Sequence, residues 1–295
     1  MKIIAISTSA VILMMVFWVI TSAKIPEFSS VENYQGRLKK GEYVFNASGC
    51  ASCHSSPDTT QEEKLVLTGG RAFPSPFGTF YAPNISMDKV NGIGAWSEKD
   101  FVNAVRHGVS PKGKYYYPSF PYTAYANMTD QDITDLWVYF KSVPESSKPS
   151  IDHDLPIYLR WRRLLAFWKL LNKPEPIIEL VSSDATLKRG AYLVETLGHC
   201  GECHTPRNFI GGLEYDYWLG GAKNPAGRGM IPNITPTKLT WEIEEIVEYL
   251  ASGFTPDFDV AGGQMVDVIE NTSKLTEEDR IAIAEYLKAI PGVQK

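Results

Sequence analysis

Hydrophobic and polar positions along the chain recur with helical spacing, and they do so in paired places. Leu38-Lys39-Lys40-Gly41-Glu42-Tyr43-Val44-Phe45 predicts a short amphipathic helix, and Leu187-Lys188-Arg189-Gly190-Ala191-Tyr192-Leu193-Val194 repeats it. Trp96 opens a predicted helix over 97–106, and Trp241 opens another over 242–251. Thr129-Asp130-Gln131-Asp132 caps a helix running to Lys141, as Thr276-Glu277-Glu278-Asp279 caps one running to Lys288. In both, a threonine oxygen accepts from the first free amides, acidic residues meet the positive helix end, and Pro144 or Pro291 stops the helix. Ahead of both repeats, Ile3 to Ala23 is uncharged for 21 residues. That is long enough to cross a bilayer as a helix, and longer than the 7–15 residues of a signal-peptide apolar core.

Each repeat contains two of the chain's four cysteines, in Cys50-Ala51-Ser52-Cys53-His54 and Cys200-Gly201-Glu202-Cys203-His204. Two thiols three residues apart with histidine directly after the second form the attachment pattern of haem c. Each cysteine adds across a vinyl group to make a thioether, and the following histidine supplies the proximal iron ligand. A disulfide or redox pair needs no histidine, and zinc would bring its two pairs within about 15–20 residues of each other. The chain is thus expected to carry two covalently bound haem c, on Cys50, Cys53, Cys200 and Cys203, with His54 and His204 on the irons.

At 295 residues, 44% hydrophobic and 21% charged, the chain has a globular composition, and the doubled motif favours two domains. The expected division is an anchor over 1–24, a first domain over 36–145, a linker over 146–185 and a second domain over 186–295. A net charge of −5 argues against nucleic acid as a partner and is compatible with docking to a basic redox protein. The apolar N-terminus is expected to remain as an inner-membrane anchor with Trp18 at the interface. The alternative is cleavage near Thr21 and Ala23, and either outcome places the haem domains in the periplasm. Ile25 to Gln35 reads as a polar tether. In the linker, Leu159 to Leu171 predicts a basic, aromatic-rich helix of three to four turns. It would either lie on a membrane or partner surface, or bridge the two domains with arginines answering haem propionates.

The repeats also match beyond the cysteines: Gly69-Gly70 answers Gly220-Gly221, and Pro83-Asn84-Ile85-Ser86 answers Pro232-Asn233-Ile234-Thr235. With Phe77-Gly78-Thr79-Phe80-Tyr81-Ala82, Gly92-Ile93-Gly94-Ala95-Trp96, Arg106-His107-Gly108-Val109 and Cys203-His204-Thr205-Pro206-Arg207-Asn208, the chain from about Leu38 onward resembles the membrane-bound di-haem cytochrome c subunits of periplasmic dehydrogenases. The resemblance implies an all-α fold of two tandem class I cytochrome c domains behind an N-terminal transmembrane helix. It also implies a periplasmic dehydrogenase as electron donor, and an oxidase, soluble cytochrome or quinone as acceptor.

That family places its second distal methionine where this chain has Met265, and thioether ligation raises the potential of the iron. Packing is the alternative for a loop methionine. In the first repeat the family commonly has methionine before Pro-Tyr, where this chain has Phe120, which cannot ligate. Met128 is then the first candidate, although Leu275 fills its matching place. An unligated or water-bound iron comes next, and Met87 and His107 are weaker choices. Trp96 and Trp241 either hydrogen-bond a propionate or pack in the core, while His153 and His199 read as structural. Electron transfer is therefore the expected function, with no catalytic residue assigned. The alternative is catalysis at an open first haem, on thiosulfate or peroxide.

Overall fold

The computed structural model describes residues 11–12, 14–23, 26, 35–57, 63–173, 184–227 and 229–294. Its first repeat consists of α1 (Leu38–Ala47), α2 (Cys50–His54), the hairpin β1 (Ala72–Ser75) and β2 (Gly78–Tyr81), α3 (Glu98–His107), α4 (Tyr122–Tyr125) and α5 (Asp130–Phe140). After α6 (Leu165–Leu171), the second repeat runs through α7 (Ala185–Ala191), a π-helical turn (Tyr192–Leu197), α8 (Gly201–His204), β3 (Ala222–Lys223), β4 (Met230–Ile231), α9 (Ile243–Ser252), α10 (Met265–Thr272) and α11 (Glu277–Ala289). The fold is mostly helical. It departs from the all-α expectation in two antiparallel hairpins, one pairing Ala72 with Tyr81 and the other Ala222 with Ile231.

The predicted caps form. Thr129 accepts from the Asp132 amide at 3.1 Å and Thr276 from Asp279 at 3.2 Å, while Ser97 and Asp100 make a reciprocal capping box. In each repeat the first helix crosses the last at a glycine. A Cβ on Gly41 would lie 2.0 Å from the Asp135 carbonyl oxygen, and one on Gly190 would lie 2.0 Å from that of Ala282. Close approach lets Phe45 pack on Tyr139 and Phe140, with ring centroids 5.0 and 5.6 Å away. The repeats differ by one residue here, since Gly41 precedes Cys50 by nine positions and Gly190 precedes Cys200 by ten. The π-turn absorbs that extra residue.

The two repeats are tied reciprocally. Tyr43 of α1 donates to the Asp279 carboxylate at 2.5 Å and accepts from the Thr276 amide, at the start of α11. Tyr192 donates to Asp132 at 2.6 Å and accepts from the Thr129 amide, at the start of α5. Each repeat thus satisfies free amides at the other's last helix.

The linker helix is shorter than its hydrophobic pattern predicts. Two 3₁₀ turns, Ile157–Arg160 and Arg162–Leu164, precede α6, because Trp161 leaves the helical region at φ −82°, ψ 76°. The segment bridges: Lys169 Nζ donates to the His107 carbonyl, and Trp168 Nε1 donates to the Ile210 carbonyl at 2.8 Å. It also receives the N-terminal apolar stretch, whose residues 3–10 and 13 lie outside the described residues. Arg163 stacks 3.3 Å over the Trp18 ring, and Phe17 meets Trp161 and Phe167 at 6.2 Å. Among the described residues no helix is long and apolar enough to cross a membrane. The proposed tether lies almost wholly outside the described residues.

Candidate haem sites

Each Cys-x-x-Cys-His sequence folds as one helical turn, which brings both thiols to the same side. The His204 amide bonds the Cys200 carbonyl at 3.0 Å, and the Ser55 amide bonds Ala51 at 2.9 Å. None of the four cysteines is in a disulfide, and burial pushes the Cys50 and Cys200 side chains up to about 12. Among the described residues no group of three His, Cys, Asp or Glu side chains is placed to share a metal ion.

The hairpins explain the repeated Pro-Asn-Ile. Strand β2 delivers the Pro83 carbonyl to His54 Nδ1 at 2.9 Å, and β4 delivers the Pro232 carbonyl to His204 Nδ1 at 2.8 Å. A carbonyl only accepts, so Nδ1 carries the proton in both rings and Nε2 keeps its lone pair. Burial lowers both imidazole pKa values, which holds the rings neutral as metal ligation requires. Main-chain bonds lock the turns in place: Gly69 N to His54 O and Gly221 N to His204 O, both 2.7 Å. These bonds correct the glycine register, since Gly69 corresponds to Gly221 rather than to Gly220.

The distal candidates fall in different settings. Met265 begins α10 and is half-buried, while Met128 is 3% exposed in the core that also contains Met87, Phe120 and Trp96. Met128 matches Leu275 closely. Leu275 is 6% exposed, each residue precedes a capping threonine, and each has its carbonyl bound by an arginine, Arg106 or Arg280. Phe120 sits among Tyr116, Tyr122 and Tyr125, with centroids 6.0 to 6.4 Å away. Trp241 packs edge-on to Tyr249 at 5.1 Å, and both tryptophans adjoin the core directly before their helices. His107 ends α3. His153 accepts from the Tyr81 amide at 3.1 Å, the structural role expected of it.

Some site residues were not visible as such in the sequence. Arg71 donates to the Ser52 carbonyl and pairs with Asp267 at 2.6 Å. Asn271 of α10 reaches the Ser52 hydroxyl at 2.7 Å. Asp267 and Asn271 lie 215 and 219 positions from Ser52, so no local pattern marks them.

A Cys-x-x-Cys-His turn whose histidine is held through Nδ1 is the arrangement the attachment pattern of haem c calls for. Residues 38–144 match the cytochrome c family model. The chain is 52% identical to a di-haem c-type cytochrome of Cereibacter sphaeroides, over 88% of each chain. It is also 35% identical to the cytochrome subunit of fructose dehydrogenase from Gluconobacter japonicus and to the cytochrome c subunit of gluconate 2-dehydrogenase from Pantoea cypripedii, in each case over 86% of this chain. Those alignments span 53% and 59% of the two subunits. The chain belongs to the c-type cytochromes, in the family of these di-haem and dehydrogenase-associated proteins.

Proposed function

We propose that the chain carries two haem c groups and relays electrons from a periplasmic dehydrogenase toward the respiratory chain. Cys50 and Cys53 would hold the first group with His54 on its iron, and Cys200 and Cys203 the second with His204 and Met265. The domains would divide near residues 145 and 186. The observation that carries this reading is the duplicated Nδ1-to-proline-carbonyl bond, at 2.9 and 2.8 Å. It would orient two separate imidazoles as proximal ligands, each beside a pair of cysteines three residues apart. The haem, when bound, supplies the one-electron chemistry. The chain's own residues fix its position, exclude water and set its potential.

Membrane attachment belongs to the same proposal. Ile3 to Ala23 would anchor the chain. In support, Met14, Met15, Trp18, Val19 and Ile20 are exposed apolar residues, and Trp161, Leu170 and Leu171 extend that surface onto the linker. The test is haem quantification and redox titration on protein extracted from membranes. Two haems per chain with one-electron waves, and extraction only by detergent, are expected. Fewer than two haems overturns the relay, and release by alkaline carbonate overturns the anchor.

A second reading, catalysis at the first haem, is favoured by one observation. Phe120 lies in a cluster of three tyrosines and Met128 occupies the packing place of Leu275. Binding of carbon monoxide to one of the two reduced haems would support an open iron. Two fully low-spin haems that bind neither carbon monoxide nor cyanide would remove this reading.

A further inference from the structure

The two attachment turns are joined by contacts from opposite repeats. Tyr125 of α4, 6% exposed, donates its hydroxyl to the Ser48 carbonyl at 2.9 Å, two residues before Cys50. The same ring meets the His199 imidazole edge-on, with centroids 5.5 Å apart and planes at 80°, one residue before Cys200. Around this link, Thr123 donates to Glu202 at 3.2 Å and Asn271 donates to Ser52 at 2.7 Å, so the residues between each pair of cysteines are held by the other repeat. An open cleft between the repeats is lined by Thr123, Ala124, Asn127, Glu195, His199 and Glu202.

His199 is also strained. Its φ is +38°, in the left-handed region, at the position where the first repeat has Gly49 with φ +60°. A glycine would suit that backbone better, so the imidazole is present for what it touches, which is the Tyr125 ring of the other repeat, itself bonded to Ser48.

We infer that Ser48, Tyr125 and His199 form the electronic link between the two haem sites, so that electrons pass between them through the attachment turns. This rests on the di-haem reading above. With haem bound at both turns, the exchange would be a one-electron transfer from one centre to the other, with no bond broken and no proton moved. Covalent and hydrogen-bonded contacts couple the two centres better than a gap of the same length. Tyr125 and His199 are positioning residues for this transfer, and neither is assigned to an iron.

The test is the intramolecular electron-transfer rate after flash reduction of the full-length holoprotein, in His199→Gly and Tyr125→Phe. His199→Gly copies the first repeat's backbone, so it is expected to fold at least as stably as the parent. Tyr125→Phe keeps the ring and removes only the bond to Ser48. Both are expected to slow exchange between the haems several-fold while each haem's spectrum and potential stay unchanged, and His199→Asn, which tolerates positive φ and keeps a donor, is expected to recover part of the rate. Parental rates in both His199→Gly and Tyr125→Phe overturn the inference, as does slowing that is matched by shifted potentials. A haem count below two per chain in the parent defeats the di-haem reading instead, and is scored separately.

Discussion

Replacing Gly190 by alanine tests the helix crossing on which the second attachment turn depends. The added methyl would sit 2.0 Å from the Ala282 carbonyl oxygen, 2.7 Å from its carbon and 2.8 Å from Tyr286 Cβ. The obstacle is main chain, so no rotamer change relieves it, and α7 must move away from α11 by more than an ångström. A gap of 0.5–1 Å already forfeits a quarter to a half of the dispersion between facing atoms. Overpacking of this kind costs about 1–3 kcal/mol, to which the lost contacts of buried Leu193, Val194 and Tyr286 add. Alanine's higher helix propensity returns about 1 kcal/mol. With those lost contacts taken as about 1 kcal/mol, the net loss is about 1–3 kcal/mol, which lowers Tm by roughly 4–12 °C for a domain of about 110 residues. Far-UV circular dichroism during heating of the holoprotein measures it, with Gly262→Ala as the control, since a methyl there meets nothing within 4 Å. A drop below about 1 °C relative to that control would refute the argument.

Asp279 tests the reciprocal tie between repeats. Burial alone would raise its carboxyl, but the Arg189 bonds and the Tyr43 hydroxyl outweigh burial and hold it below the ordinary carboxylate range. A depressed folded-state pKa gives stability that is present above the unfolded value and lost as pH falls through the folded one. Asp279→Asn should therefore lose about 1.5–3 kcal/mol at neutral pH and flatten the acid limb of the stability curve, read by denaturant titration at several pH values. Burial lowers the Lys169 pKa to about 8, so the folded chain releases that proton while the unfolded chain keeps it. Stability should rise with pH above about 8 in the parent and not in Lys169→Met. Met265→Ala should lower the potential of one haem and leave the other in place, and spectroelectrochemistry distinguishes that from a shift of both.

The parts of the fold that were legible in the sequence are those encoded within one repeat. Thr129, Thr276 and Ser97 cap where they stand because a cap is a three-residue arrangement, and the Cys-x-x-Cys-His turns declare themselves by spacing alone. The hairpins were missed since two- and four-residue strands such as Ala222–Lys223 offer too few positions to show alternation. The break at Trp161 was missed because the apolar period runs through it unchanged while the backbone does not. The glycine register slipped by one because the loops after His54 and His204 differ in length, and only the main-chain bonds from Gly69 and Gly221 align them.

What no local pattern could show is that neither repeat closes on itself. Tyr43 and Tyr192 stand at matching positions of their helices, and taken one repeat at a time each is an amphipathic-helix aromatic. Across the interface each finishes the other repeat's final helix. The same exchange holds at the haem turns, where Asn271 reaches Ser52 and Thr123 reaches Glu202. Two copies that only shared a linker could each drift to suit their own cofactor, and the orientation between them would be loose. Copies that complete one another's caps and hold one another's attachment turns cannot move apart without exposing amides, carboxylates and apolar surface together. The two sites can therefore diverge in their distal residues, Phe120 against Met265, and in the residue before the first cysteine, Gly49 against His199, while the distance between them stays constant. With haem bound at both turns, two sites that differ in these residues while their separation stays constant would suit the one-electron relay proposed above.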